Sequence, residues 1–510
     1  MAVQKSAIID IGSNTIRLVI YQYSTKSGLK ELENIKAVAR LRNYINDDGI
    51  LVEEGIQLLQ NLLKSFKEML VDYGIDNVRT VATASIRQAK NGEEIILRMK
   101  EIVGIEIELL SEEEEAYYGY FAVAHTISTP SAITIDMGGG STEITLFENK
   151  ELKHSISLPF GSVSLKKQFM HEQTLSRKEH LAVFDFAEKQ FSEIEWLKNA
   201  NVPVVGIGGS ARNMAKLDQS RKNYPLTGVH QYRMSYDDFL EINDEIAGMT
   251  FQELKKLDGL SSDRADIIAP VCEVFSALMH VVGSRKFQFS RKGLREGLVM
   301  SDLLKEYPDA FNREDVFMSS AAYLASEFGK AKENILHHGR LSELLYRKLC
   351  LEKIWTFAEG DIALLKQGAE VFLIGEYLEP DSASQHTFYL LSNRSINGLN
   401  HKERLRLALM ASYKNKDSFY HYLEPFEDWF SKEEIQVLIR LASLLKFTYS
   451  LDASKRSVIY DVQLDYDEAE ERIHFTILTN GYPLAEEYQA NRQKKHFERV
   501  LRKEIVLHFI

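Results

Sequence analysis

Ala7-Ile8-Ile9-Asp10-Ile11-Gly12-Ser13-Asn14-Thr15 and Ile133-Thr134-Ile135-Asp136-Met137-Gly138-Gly139-Gly140-Ser141 are two copies of one pattern. In each, a short apolar strand ends at an aspartate and the chain reverses through glycine and small polar residues. An alternating run follows, at 16–23 or 142–147. The pattern reads as strand, tight turn, strand. Glycine lets backbone N–H groups of such a turn come close to an anion, because no Cβ blocks the approach and positive φ costs little. Two such turns facing each other predict a phosphate clamp, with Gly12, Ser13 and Asn14 on one side and Gly138, Gly139, Gly140 and Ser141 on the other.

A third glycine turn, Gly206-Ile207-Gly208-Gly209-Ser210-Ala211-Arg212-Asn213, follows the strand Pro203-Val204-Val205 and opens a helix. Free N–H groups and the positive helix end then coincide, a place that favours phosphate near Gly208, Gly209 and Ser210. One such turn is common in α/β proteins. Three in one chain point to a phosphate-handling cleft.

The chain has 510 residues, which predicts three or four domains at roughly 100–200 residues each. Its 45% hydrophobic and 27% charged residues are those of a soluble globular protein. No run approaches the ~18 apolar residues of a membrane span, and the start lacks a signal pattern, so a cytoplasmic enzyme or binding protein is expected. Cys272 and Cys350 are the only cysteines and have no metal-ligand spacing. A net charge of −12 argues against coating nucleic acid or a membrane by bulk electrostatics. A polyanionic ligand then needs a local basic groove. Arg285, Lys286, Arg291, Lys292 and Arg295 form one candidate, and Lys494, Lys495, Arg499, Arg502 and Lys503 another; solvated surface is the plainer reading of either.

The first 127 residues alternate strands (6–10, 16–23, 32–39, 78–83, 105–110) with helices (52–73, 93–103, 112–126), and the logic restarts at 128–310 with a long helix at 175–198 and strands at 203–206 and 287–289. Residues 311–454 read as consecutive amphipathic helices, and 455–510 as a small α/β cap with strands at 458–465, 472–478 and 505–509.

Several blocks in order resemble the exopolyphosphatase and guanosine pentaphosphate phosphatase family, within the superfamily of actin, Hsp70 and sugar kinases. They are Asp10 to Thr15, Ala82-Thr83-Ala84-Ser85-Ile86-Arg87-Gln88-Ala89, Glu114-Glu115-Ala116, Asp136 to Glu143, Pro159-Phe160-Gly161-Ser162-Val163, Arg264-Ala265-Asp266 and Gly293-Leu294-Arg295-Glu296-Gly297. The resemblance implies two actin-like (ribonuclease H-like) α/β lobes around a phosphate-binding cleft, then an HD-like helical domain and the α/β cap.

It also implies hydrolysis of a terminal phosphoanhydride, which needs a positioned water, a metal and donors around the phosphoryl oxygens. On that reading Glu115 is the base or water-orienting carboxylate. Ser111 and Glu114 already form a capping box, so capping does not require Glu115. Arg87 is read as forking onto the transferring phosphate. Asp136 and Glu143, flanking the second turn, are the expected Mg²⁺ ligands, with Asp10 as a third; K⁺ is left open as a second ion. The residue matching Glu143 in the first copy is Arg17, so one lobe brings carboxylates and the other a cation. In the helical region Phe372 and Leu373 stand where an HD metal pair would, and neither can bind a metal. His337, His338, His386 and His401 are therefore read as capping, packing or phosphate-contact residues, and the region as a binding and dimer-forming module. The expected function is Mg²⁺-dependent exopolyphosphatase activity. The open alternatives are guanosine pentaphosphate 5′-hydrolysis, a non-catalytic nucleotide or polyphosphate sensor, and a kinase.

Overall fold

The computed structural model describes residues 3–510, which form two compact units, one running to Val316 and the other spanning Phe317–Ile510. In the first unit β1 (Gln4–Ile11), β2 (Thr15–Ser24), β3 (Gly28–Val38), β4 (Val78–Ala82) and β5 (Glu108–Leu109) form a sheet in the order β3-β2-β1-β4-β5. A second sheet contains β6 (Ala132–Met137), β7 (Thr142–Glu148), β8 (Glu151–Leu158), β9 (Val204–Ile207), β10 (Arg233–Ser235) and β11 (Lys286–Phe289), ordered β10-β11-β9-β6-β7-β8. The topologies repeat. An antiparallel hairpin, β1–β2 or β6–β7, gains a parallel neighbour beside its first strand, β4 or β9. This is the mixed α/β, actin-like architecture the family resemblance implies.

The helices of this unit are α1 (Glu53–Asp72), α2 (Ala84–Arg87), α3 (Gly92–Val103), α4 (Glu112–Ala124), α5 (Ser162–Phe169), α6 (Arg177–Ser192), α7 (Gly208–Arg221), α8 (Tyr236–Ile246), α9 (Phe251–Leu254), α10 (Ile268–Val282) and α11 (Leu294–Glu306). Leu59, Leu63 and Phe66 of α1 and Ile95 and Met99 of α3 share one core with Ile9, Ile11 and Leu18 of the first sheet. Val183 and Phe191 of α6 and Val274 and Phe275 of α10 do the same for Ile133, Ile135 and Ile144 of the second.

The other faces of the sheets are covered crosswise. Tyr120, Val123 and Ala124 of α4 pack on Phe147 and Val205 of the second sheet, while Leu298, Val299 and Met300 of α11 pack on Ile8, Val19 and Val81 of the first. The two helices meet at Gly297, where an added Cβ would lie 2.0 Å from the Tyr118 carbonyl oxygen. Backbone cannot yield as a side chain can. Gly297→Ala is therefore expected to lower stability by about 1–3 kcal/mol, read as a shifted chemical-unfolding midpoint; an unchanged midpoint contradicts this tight crossing.

Some elements depart from expectation. The strand expected at 105–110 pairs only at Glu108 and Leu109, because Ile105 and Ile107 turn into the core below. The long helix ends at Ser192, with a separate short turn at Glu195–Leu197. The edge strand β8, the three-residue β10 and α5 had no clear apolar period to announce them.

The second unit contains α12 (Val316–Glu327), α13 (Lys332–Leu351), α14 (Glu359–Glu370), α15 (Ala383–Asn393), α16 (His401–Ala411), α17 (Lys416–Leu423), α18 (Lys432–Ser450) and α19 (Leu484–Leu501), with a sheet β12 (Ile459–Asp467), β13 (Arg472–Thr479), β14 (Glu504–Phe509). Phe447 of α18 packs on Phe475 of β13 and stacks on Phe497 of α19, so the helices and the small sheet share a core. Phe372 is buried and packs against the rings of His338 and Tyr449. Nε2 of His338 donates to the Leu445 carbonyl at 2.9 Å.

Burial holds His338 neutral and pushes its pKa down to about 3 from an ordinary 6.5. The folded state therefore resists a proton that the unfolded chain accepts. The stability this ring contributes is intact above pH ~6.5 and is lost as pH falls toward 3. Between pH 7 and 5 that loss is expected to be about 2 kcal/mol. It is read as the difference in pH dependence of unfolding between the wild type and His338→Gln, and parallel pH profiles contradict it.

Candidate active site

The two hairpin turns close alike. The Gly12 N–H donates to the Thr15 carbonyl at 3.1 Å and the Gly138 N–H to the Ser141 carbonyl at 3.0 Å. Neither Gly12 nor Gly138 to Gly140 adopts positive φ; only Gly208, in the third turn, does, at +77°. Close approach, not a left-handed backbone, is what the first two turns require. At Gly140 a Cβ would fall 2.2 Å from Nη1 of Arg42, and at Gly139 one would approach Ser13 at 3.9 Å. Turns from both lobes thus face one cavity of about 510 Å³, lined by Gly12, Ser13, Asn14, Gly138 to Ser141, Gly208 and Gly209.

Strand register sets the charge asymmetry. Asp10 is paired with Arg17, and Asp136 with Glu143. Asp10, Asp136 and Glu115 line the cavity, whereas Glu143 stands behind it, buried, and accepts from Ser157 Oγ at 3.2 Å. Asp10 is held by Arg295 at 3.1 Å. Burial pushes Asp136 up to about 6. Burial first, then neighbouring carboxylates, raises Glu143 and Glu115 as well. Three carboxylates in mutual repulsion at one side of the cleft make a place where a cation is favoured.

Glu115 sits in the first turn of α4, whose Ser111 and Glu114 form the reciprocal capping box. Its carboxylate accepts from Arg87 Nη1 at 3.2 Å, and the same nitrogen donates to the Leu110 carbonyl at 2.8 Å. Arg87 does not line the cavity. Its Nη1 is taken by the start of α4, while its buried Nε and Nη2 make no hydrogen bond among the described residues, Nη2 lying 3.8 Å from Glu112. Ser210 also turns inward. It is buried and donates to the Met137 carbonyl at 3.1 Å, tying α7 to the end of β6.

The expected basic run divides. Only Arg291 and Arg295 reach the cavity. Arg285 and Lys286 stand at the opposite end of the extended strand β11, and Lys292 faces Glu296 at 4.0 Å. The cavity's cations come instead from scattered places, and ten Lys and Arg against five Asp and Glu line it. Arg17, Arg40, Arg42, Arg212 and Lys167 form no ion pair among the described residues. Burial and then Arg295 and Arg212 push Arg17 down to about 10, and burial lowers Arg264, which donates to Ser210 Oγ. Arg42 and Arg40 are fixed by their own backbone N–H groups, which bond the Ser13 and Asn14 carbonyls. Arg212 and Arg264 stand inside sequence motifs that assign them no role, and Arg40 and Arg42 carry no periodic signal.

Two lobes of repeated topology, with glycine turns facing a cationic cavity, define the actin-like class of phosphate-handling proteins. A model of the Ppx/GppA phosphatase family matches residues 19–306 and one of Ppx/GppA domain III matches residues 340–494. The chain belongs to the Ppx/GppA phosphatase family. A crystal structure of the Aquifex aeolicus family member is 30% identical, with a TM-score of 0.55 over 60% of this chain and 99% of that one. An exopolyphosphatase from Cytophaga hutchinsonii, 20% identical over 59% of this chain and 98% of that one, shares the fold with a TM-score of 0.53. Among the described residues no helix is long and apolar enough to cross a membrane.

Proposed function

We propose that the protein is an exopolyphosphatase, releasing terminal phosphate from inorganic polyphosphate. The observation that supports this most is the lining of the cleft: ten cations, five carboxylates and, among the described lining residues, no aromatic ring on which a guanine could stack. Base stacking contributes about 1–3 kcal/mol where a protein holds a base. Repeated charge-assisted contacts suit a chain of phosphates. The second unit has its own crowded cations. Burial and then Lys495 and Lys414 lower Lys446 to about 8, and burial and then Lys446 and Lys495 lower His496 to about 4.

In this reading Glu115 accepts a proton from water as the water oxygen bonds the terminal phosphorus. The bridging P–O bond breaks and its electron pair leaves with the shortened chain. Burial raises the Glu115 carboxyl pKa, which makes its carboxylate a stronger base. Arg87 positions that carboxylate, while Arg17, Arg212 and the turn N–H groups hold the phosphoryl oxygens.

Mg²⁺ fits the donor set. Asp136, which lines the cleft, would be its direct ligand and Glu143, buried behind it, would back that charge, both being hard oxygens whose anionic forms are disfavoured by burial. Among the described residues no three His, Cys, Asp or Glu form a protein cage, and Mg²⁺ characteristically takes one or two carboxylates plus substrate phosphate. Bound there, it would neutralise charge on the phosphates. The test is phosphate release with Mg²⁺ from long-chain polyphosphate, guanosine pentaphosphate and ATP at equal terminal phosphate. Preference for polyphosphate is expected; preference for guanosine pentaphosphate overturns the substrate, and release from none overturns hydrolysis.

A further inference from the structure

A second cavity, of about 420 Å³, lies at the other end of α7. Its floor is apolar, with Leu217 from α7, Ile242 and Ile246 from α8, and Leu257. Its rim carries Glu245, Glu253 and Asp258 and the single lysine Lys256; Glu253 is engaged with the Thr250 N–H and hydroxyl, whereas Glu245 and Asp258 have no ion-pair partner among the described residues. Arg221 also lines it, but that guanidinium is already shared among Asp218, Asp238 and Glu241. The carbonyl end of α7 adds partial negative charge. An apolar floor beneath a net negative rim suits a compact body with an apolar face and one positive charge.

The same segment that walls this cavity continues into the phosphate cleft. Lys256 to Asp258 line the first, and Ser261, Asp263 and Arg264 the second. Between them Gly259, with φ +88°, lies so close to α7 that a Cβ would stand 2.5 Å from the Lys216 carbonyl oxygen. Beyond it the Ser261 N–H donates to Asn213 Oδ1 at 2.8 Å, and Arg264 donates to Ser210 Oγ at 3.2 Å. Asp263 meets Lys36 of the other lobe at 3.4 Å. The segment between the two cavities is thus tied to α7 on both sides of Gly259.

We propose that the cavity under α7 binds a small organic cation, an ammonium group on a compact apolar body, and that its occupancy is linked to the phosphate cleft through residues 256–264. The site does not depend on the hydrolase reading; the link assumes only that the cleft takes phosphate. The test is ligand-observed NMR titration of the full chain with 2-phenylethylammonium and its neutral counterpart 2-phenylethanol. The cation is expected to bind about tenfold more tightly. The exposed double variant Glu245→Gln, Asp258→Asn should erase that preference without changing the melting temperature, and Leu257→Trp should weaken both probes. Equal binding of the two probes, or a preference retained in the double variant, overturns the site. Saturating inorganic phosphate, its occupancy followed by phosphorus NMR in the same samples, should change the cation's affinity by about fivefold. With phosphate bound and the affinity unchanged, the link is overturned.

Discussion

Replacing Glu115 with Gln is expected to lower the rate of phosphate release by about 10²–10⁴-fold while leaving the protein as stable as the wild type or slightly more so. The substitution keeps the size of the side chain and can still accept from Arg87, so the brace onto the Leu110 carbonyl survives. What disappears is one of the carboxylates that raise one another's pKa in the cleft wall, and with it a repulsion that the fold bears. Loss of a proton acceptor therefore separates from loss of structure. The neighbouring residues supply the contrast. Ser111→Ala removes the cap from the Glu114 N–H, which costs about 1 kcal/mol of stability, yet it takes nothing from the reacting atoms and turnover should stay near the wild-type rate. Steady-state release from polyphosphate, with thermal unfolding of the same samples, checks both. A Glu115→Gln enzyme within about tenfold of wild type would remove Glu115 from the chemistry, because general-base catalysis is worth at least that much.

The duplicated turn made the fold legible, because a strand that ends in aspartate, glycine and small polar residues admits few local structures. Its register even carried chemistry: the alignment of Glu143 with Arg17 is what the pairings of Asp136 and Asp10 realise. The crossing of α4 and α11 was not legible. Helix α4 carries no distinct apolar face, so the exchange shows only in the tertiary packing of the two helices. Nor was the cation ring. Arg40 and Arg42 are held beside the first turn by backbone bonds, Arg212 sits near the start of α7, and Arg264 reaches the cleft because segment 259–264 packs on α7. The position of Arg87 escaped for the same reason. A residue type and a motif say that a guanidinium is wanted, while the direction it points depends on where the next helix begins.

Gly208→Ala is the second large effect expected, and the reason is geometric on two counts. The backbone at this residue has φ +77°, which an alanine adopts at a cost of about 1–2 kcal/mol. Its Cβ would lie 2.4 Å from Oδ1 of Asp136 and 3.3 Å from Cγ, so the carboxylate must move. Asp136 sits opposite Ile207 in the parallel pairing of β6 and β9, so its backbone is held and the clash is relieved by turning the carboxylate away from its place in the cleft. Displacements of about 1 Å in a catalytic group can cost 10²-fold in rate. Phosphate release is therefore expected to fall by about that factor, with a stability loss of only about 1–3 kcal/mol. Two further glycines grade the argument. At Gly209 the Cβ would meet Arg264, 2.3 Å from Nη2, and a side-chain end can swing aside, so Gly209→Ala should lose less activity than Gly208→Ala. At Gly248 nothing lies within 4 Å, and alanine there should leave release unchanged. If Gly208→Ala retains full release while binding of Mg²⁺ followed by calorimetry is also intact, Asp136 does not serve the reaction from this place. The third glycine turn would then be a structural joint between β9 and α7 and no part of the phosphate clamp.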